Sequence, residues 1–304
     1  MFIIKYKKIF LILSVCMVII STIFIFVFGL KPGIDFKGGA LLEASYSSTR
    51  PDISMLQDKI KTLSIGEALI QPSGNNEFLI KTRDLSESEH EALSTALSLD
   101  GKYPAVEKSF TSIGPSVGNQ LAYKATLSII FVILAIILFI TYAFRKVSRP
   151  VSSWKYGVIT VVTLLHDIII PTGIFALISH YNGAEVDTLF VLALLTILGL
   201  SVHDKIVVFE RIRENLRLQT SNKLQFSEIV GQSTQATIVR SINITLTIIF
   251  VLVPLYLLGP ETTKNFALIL TIGLFFGIYS SLFFASPLLV LVQEWQDKRN
   301  LKKK

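Results

Sequence analysis

The sequence predicts an α-helical polytopic membrane protein, with six transmembrane helices and one α+β domain outside the membrane between helices 1 and 2. Three observations predict it. Of 304 residues 51% are apolar and 17% charged, with a mean hydropathy of +0.59, which leaves too little polar surface for a water-soluble chain of this length. The apolar residues fall into discrete runs bounded by charges, each near the roughly 20 residues that cross a bilayer core. One stretch, 31–120, breaks that pattern with an ordinary polar composition.

The first run, 9–30, lies between Lys8 and Lys31. Basic residues precede it, but it exceeds the roughly 7–15 residues of a signal-peptide core and no small-residue cleavage site follows. Residues 1–30 therefore read as a cytoplasmic N-terminus and a retained first span. Five further runs, 125–144, 156–179, 188–209, 241–260 and 265–293, make a bundle over 121–293, and 294–304 is a basic cytoplasmic tail. The third and fourth spans are long enough only if internal charges are accepted. Lys and Arg mark the cytoplasmic side of short loops. Lys5, Lys7 and Lys8, then Arg145, Lys146, Arg149 and Lys155, then Arg211, Arg213, Arg217, Lys223 and Arg240, and finally Lys298, Arg299, Lys302, Lys303 and Lys304 make 17 of the 29 basic residues. The outer loops 180–187 and 261–264 hold one, Lys264. Both termini are thus expected on the cytoplasmic side of the inner membrane. The net charge of +7 belongs to these loops, whose nearest partner is the anionic surface of the lipid bilayer; no recognition motif points to nucleic acid. The single cysteine, Cys16, lies in the first span, so no disulfide framework is available.

In 31–120 the period changes. Residues 41–46 read as a strand, and Ile53, Leu56, Ile60 and Leu63 mark one face of a helix capped by Asp52. Segments 68–71 and 77–82 flank Ser73-Gly74-Asn75-Asn76 as a hairpin. Ser86 with Glu89 forms a capping box opening a second helix through about Leu99, and 105–110 supplies the last strand. The order β-α-β-β-α-β fits a ferredoxin-like unit. No cluster of His, Cys and carboxylates has metal-ligand spacing, no nucleophile–base pair is evident, and no phosphate-binding loop pattern occurs. The domain reads as a binding or coupling module and not as an enzyme, with no cofactor indicated.

Ionisable residues inside a span cost roughly 2.5–3.5 kcal/mol at the helix centre, so they are functional candidates. His166-Asp167 falls near the middle of the third span and His203-Asp204-Lys205 near the inner end of the fourth. Arg240 opens the fifth span at a similar depth, which makes an Asp204–Arg240 pair geometrically possible. A carboxylate poised between desolvation and a nearby positive charge can carry a proton. A purely structural lock between helices satisfies the same residues. His166 is expected to bond a neighbouring carbonyl or hydroxyl. Lys205, about 100° around the helix from Asp204, is expected to reach cytoplasmic water or a second partner. Gly273 and Gly277 mark a close helix contact on the sixth span, Gly199 and Ser201 a place where another backbone can approach, and Asn243 and Pro254 a polar contact and a kink in the fifth span.

Together these residues resemble a known family. Gly33-Ile34-Asp35-Phe36-Lys37-Gly38-Gly39 is similar to the G-x-D-F-x-G-G signature outside the first span of SecF protein-export membrane proteins. The stretch from Ser201 through Asn215 resembles their fourth-span motif, His166-Asp167 their third-span His-Asp, and Arg240 with the residues to Thr247 the start of their fifth span. His203 stands where that family usually has Asn, and Lys205 where it has Thr or Ser. The resemblance covers essentially the whole chain. It implies an RND-type subunit that uses the proton motive force to promote preprotein export, with Asp204 as proton-pathway residue and Arg240 as its basic partner. It also implies a SecD-like six-span partner, the SecYEG channel, YidC and an unfolded preprotein as associates. Two other readings remain open from the residues: half of an RND-type small-molecule or lipid exporter, and a non-transporting translocase scaffold.

Overall fold

The computed structural model describes residues 2–47, 49–143, 153–218 and 224–301. Arg145, Lys146, Arg149, Lys223, Lys302, Lys303 and Lys304, counted above in the charge asymmetry, lie outside the described residues, as does the last residue of the 125–144 span. The chain divides into two compact units, one of Met1–Leu30, Ser128–Ala184 and Leu189–Lys304, the other of Lys31–Leu127 and Glu185–Thr188.

In chain order the elements are α1 (Phe2–Lys5), α2 (Lys7–Phe28), α3 (Ile34–Lys37), β1 (Gly39–Tyr46), α4 (Ile53–Lys61), β2 (Leu69–Ser73), β3 (Glu77–Thr82), α5 (Glu87–Leu97), β4 (Ala105–Ile113) and α6 (Pro115–Ala143). Then follow α7 (Ser153–Asn182), α8 (Thr188–Leu218), α9 (Phe226–Leu258), α10 (Glu261–Tyr279), a π-helical turn at Ser280–Ala285, and α11 (Ser286–Leu301). Among the described residues six helices, with α10 through α11 as one, are long and apolar enough to cross a membrane. The chain is a multi-pass inner-membrane protein. About half of the most apolar stretch of α7, of α8 and of the α10–α11 helix is buried, against less than a fifth of that stretch in α2, α6 and α9. The first three form the interior, and the others turn their Ile, Leu, Val and Phe outward, as lipid-facing helices must.

Several helices run past the apolar stretch that predicts them. Helix α8 continues through Arg211, Arg213 and Arg217, and α9 begins at Phe226, some four turns before Arg240. There the Glu228 carboxylate accepts the backbone N–H of Gln225 at 3.2 Å, closing a cap. Hydropathy locates the apolar part of a helix, whereas hydrogen-bonded caps and polar surface carry it beyond.

In the second unit four strands form one sheet in the order β2-β3-β1-β4, every neighbouring pair antiparallel. Leu42, Ala44 and Tyr46 alternate inward from β1 and meet Phe78 and Ile80 of β3, Leu56 and Ile60 of α4, and Leu93 and Leu97 of α5. Helix α4 thus buries the face its periodicity marks. The Tyr46 hydroxyl donates to the Leu97 carbonyl at 3.2 Å, and burial pushes its pKa up to about 12. The expected turn is present, with Gly74 at φ +53° in a left-handed conformation that suits glycine. Glu89 Oε2 accepts the Ser86 N–H at 2.9 Å and the Ser86 hydroxyl at 2.9 Å, opening α5 as expected. Asp52 differs: it holds the N-cap position of α4, but its side chain makes no capping hydrogen bond.

Candidate functional site

Four of the sequence-selected residues, His166, Asp167, Ser201 and Lys205, meet deep in the helix bundle. Asp167 of α7 is fully buried. Its Oδ2 accepts from Lys205 Nζ of α8 at 2.6 Å and from the Ser201 hydroxyl. Its Oδ1 lies 3.0 Å from His166 Nδ1. Lys205 is fully buried too and reaches the Ser201 hydroxyl and, at 3.1 Å, Ser280 Oγ. Ser201 and Lys205 stand one turn apart on α8, so both address the same point. The ammonium therefore meets three acceptors with its three donors, and the cost of carrying a charge into the bilayer is offset by an opposite charge and hydrogen bonds.

The third element at this junction is the π-helical turn. A π turn shifts the hydrogen-bond register and frees backbone carbonyls. The hydroxyls of Ser280 and Ser281 both donate to the Gly277 carbonyl, at 3.0 and 2.9 Å, which gives these buried hydroxyls a backbone acceptor. The turn places Ser280 against Lys205. Sequence reading missed Ser280; a serine pair inside an apolar span is the signal that could have found it. Next to the cluster the His166 ring lies 5.2 Å from the Phe284 ring and 6.0 Å from that of Tyr279. Tyr279 in turn accepts from Ser14 of α2 at 3.2 Å. One expectation is corrected here, and of two alternatives for Lys205 one is selected. His166 bonds the Asp167 carboxylate instead of a carbonyl or hydroxyl, because the adjacent acid is the strongest acceptor within reach. Lys205 reaches a second partner and not cytoplasmic water.

Asp204 lies in different surroundings. It is 7% exposed, and His203 Nδ1 lies 3.9 Å from its Oδ1. His203 itself is exposed. Asp204 and His203 line a cavity of about 20 Å³ closed by Ile244, Thr245 and Ile248 of α9 and by Gly273 and Gly277 of α10. That is room for about one water molecule. Arg240 is exposed on α9, and among the described residues no ion pair joins it to Asp204. It stands four and eight residues before Ile244 and Ile248, hence on the same stripe of α9 as the cavity wall. Asn243 is exposed as well; its carbonyl accepts from Thr247 Oγ1 at 2.8 Å. Pro254 lies inside α9, which continues to Leu258.

The glycines divide by what surrounds them. A Cβ at Gly273 would lie 2.1 Å from the side chain of Ile197, whereas one at Gly277 would make ordinary contact with Ser201 at 3.5 Å. The close contact expected on the sixth span is made with α8, and the tighter of the two glycines is Gly273. Gly199 has nothing within 4 Å of a Cβ, so no backbone approaches there, contrary to expectation. A position sequence reading passed over, Gly173 of α7, marks a crossing where backbone meets backbone: a Cβ would lie 2.5 Å from the backbone oxygen of Ser21 on α2.

The signature outside the first span builds a corner of the second unit. Gly33 N–H donates to the Val186 carbonyl at 2.8 Å, and Pro32 pairs with Val186 in a parallel bridge. Asp35 Oδ2 accepts the N–H of Thr188, the first residue of α8, at 2.8 Å, a charge-assisted cap at a helix N-terminus. Phe36 lies in the short helix α3, and the carbonyl of Gly33 accepts its N–H at 3.1 Å. Gly38 has φ +83° and would press a Cβ to 2.8 Å from Pro115; Gly39 would meet the Thr82 carbonyl at 2.7 Å. Both glycines are needed where they stand. Lys81 and Glu185 add an ion pair at 2.9 Å.

Fold and site define a class: a six-span membrane protein with an α+β domain after the first span and ionisable side chains enclosed among its helices. Residues 95–295 match the family described as protein export membrane protein SecD/SecF, C-terminal, and residues 23–49 match the SecD/SecF GG motif. The chain belongs to the SecD/SecF family of protein-export membrane proteins, in its SecF branch. The protein translocase subunit SecF of Thermobaculum terrenum is 36% identical, over 97% of this chain and 94% of that protein. SecF of Synechocystis sp. is 33% identical over 89% and 85%. Crystal structures of SecDF resemble it as well. That of the translocon-associated SecDF from Thermus thermophilus has a TM-score of 0.80 at 27% identity, covering 96% of this chain. A super-membrane-facing form gives 0.68 at 26% identity over 99% of this chain. The chain spans 38% of the first of those SecDF chains and 39% of the second.

Proposed function

We propose that this SecF subunit moves protons through Asp204 to promote preprotein export across the inner membrane. The observation that carries this reading is the contrast within the bundle. Asp204 is a buried carboxylate without a fixed cation, beside a water-sized cavity, while the other buried carboxylate, Asp167, is saturated by Lys205, Ser201 and His166. A group that takes up and releases a proton needs water access and freedom from a permanent counter-charge. Arg240, one turn along α9 from the cavity wall, is the positive charge that Asp204 meets when ionised. One proton crossing the membrane potential supplies about 2.3 kcal/mol per 100 mV, and coupling follows if protonation favours one arrangement of the helices over another.

The solved SecDF chains are more than twice the length of this one, which supports a SecD-like six-span partner as the missing portion. SecYEG, YidC and the unfolded preprotein complete the assembly in this reading. The strand order β2-β3-β1-β4 with two helices supports assigning residues 31–120 to the ferredoxin-like class, serving as the module that contacts SecD or the emerging chain.

The test is gradient-dependent preprotein export in inverted vesicles carrying the partner. Asp204→Asn and Arg240→Met are expected to assemble normally and to lose the increment that the proton gradient supplies. Export equal to wild type in both would favour a scaffold.

A further inference from the structure

The chain has two tryptophans, and the fold brings them to one place. Trp154 and Val158 mark one face at the start of α7, and Trp295 and Arg299 one face near the end of α11, each pair four residues apart. Between these faces lies a concavity of about 600 Å³, within the size range of sites that hold a small ligand. Both indoles are more than half exposed. Each has a cation at its ring: Arg299 lies 5.4 Å from the Trp295 centroid and Lys155 6.0 Å from that of Trp154. Lys155 Nζ donates to the neutral Gln296 carbonyl, and among the described residues neither Lys155 nor Arg299 pairs with an acid. Deeper along the helices the lining turns apolar at Val158, Ile159 and Val292.

Interfacial tryptophans are common in membrane proteins and orient a helix at the headgroup level. This arrangement has more: two cations with unspent positive charge, held over one concavity between helices, with an apolar floor running into the bilayer. By the charge asymmetry of the loops these are the cytoplasmic ends of α7 and α11, the leaflet that carries anionic lipid. We propose that the concavity binds one anionic phospholipid. Arg299 and Lys155 clasp its phosphodiester, the indoles flank the glycerol region, and an acyl chain lies along Val158, Ile159 and Val292. A guanidinium presents a fork of donors that suits phosphate oxygens, and the ring beneath it limits its alternative positions. A partner helix or a free phosphate would use only part of this lining; the lipid uses both its charge and its apolar floor.

Because both tryptophans flank the site, their fluorescence reports its occupant. The full chain is reconstituted in phosphatidylcholine bilayers, and quenching is measured as phosphatidylglycerol with brominated acyl chains replaces the host lipid. Brominated phosphatidylcholine serves as reference. At about 1 kcal/mol per cation near the surface, wild type should prefer phosphatidylglycerol by roughly 25-fold, and each of Lys155→Gln and Arg299→Gln should cut that preference about fivefold, the double variant abolishing it. Arg211→Gln with Arg213→Gln, which removes the same charge elsewhere on the cytoplasmic side, should leave it intact. Excess inorganic phosphate should not displace the lipid. Equal quenching by both lipids in wild type would overturn the proposal. So would equal loss in the Arg211/Arg213 variant, which would show diffuse surface attraction, and so would displacement by inorganic phosphate, which would show a simple anion site. Unchanged lipid preference in the Lys155/Arg299 variant together with loss of the co-purifying partner subunit would assign the surface to that partner instead.

Discussion

Asp167 and Asp204 sit on consecutive spans of one bundle, both buried, and the molecule treats them differently. Asp167 has an ammonium at 2.6 Å, a serine hydroxyl and an imidazole, all on helices packed in the bundle interior. Asp204, one residue before the lysine that serves Asp167, has a small cavity and an exposed histidine. Adjacent positions on α8 point about 100° apart, so the helix gives one residue to a lock and its neighbour to an opening. Burial alone therefore does not identify a working carboxylate. What separates the two is whether every lone pair already has a permanent partner.

That comparison can be broken most severely at the lock. Lys205→Met should leave Asp167 as an uncompensated buried charge and cost about 3–5 kcal/mol, read as a lower unfolding midpoint in detergent. Adding Asp167→Leu removes the stranded charge and should return most of the loss. A single variant as stable as wild type would show that the pair holds nothing. At Asp204 the opposite is expected: Asp204→Asn removes a charge with no fixed partner and should leave the midpoint unchanged or raised, while gradient-driven export should be lost.

Packing effects come next. Gly173→Ala must push α2 and α7 apart against backbone atoms, and overpacking of this kind costs about 1–3 kcal/mol. Gly273→Ala meets a flexible isoleucine side chain and should cost less, and Gly277→Ala, with ordinary contacts, less again. Thermal melts of the three variants in one detergent give the ranking directly; a destabilised Gly277 variant beside a normal Gly173 variant would contradict it.

The smallest effect lies outside the membrane. Hydrogen bonds from the Arg83 guanidinium, then from the Ser86 N–H and hydroxyl, hold the Glu89 carboxyl well below the usual range, at about 2. A depressed pKa in the folded state contributes stability that is complete above the unfolded value near 4.5 and is lost as pH falls through about 2. Hydrogen exchange of the first α5 amides should accelerate, relative to the intrinsic rate, on acidification across that window. In Glu89→Gln the same amides should be less protected at neutral pH and insensitive to acid there.

The differences between sequence and structure have a common physical source. Spans, the α4 face and the Ser86–Glu89 cap are set by neighbours within a few turns, and all were legible. The partner of Lys205 was not, because Asp167 is 38 residues away and which face of α8 meets α7 depends on the packing of the whole bundle. Gly173 and Gly199 make the same point in opposite senses, since a glycine reveals nothing about what lies against it until the facing helix is in place. Ser280 became part of the site through a π turn, a register shift that no hydrophobic period announces. Asp204 was legible as an intramembrane acid; its difference from Asp167 was not.

The central claim is that of these two carboxylates Asp204 alone exchanges protons, and infrared spectroscopy of the reconstituted chain tests it most directly. On acid titration a carbonyl band from a newly protonated carboxyl group should appear in wild type. It should vanish in Asp204→Asn and persist in the Asp167→Leu, Lys205→Met double variant. A band that survives Asp204→Asn and disappears with Asp167 would place the proton at the lock and contradict the account.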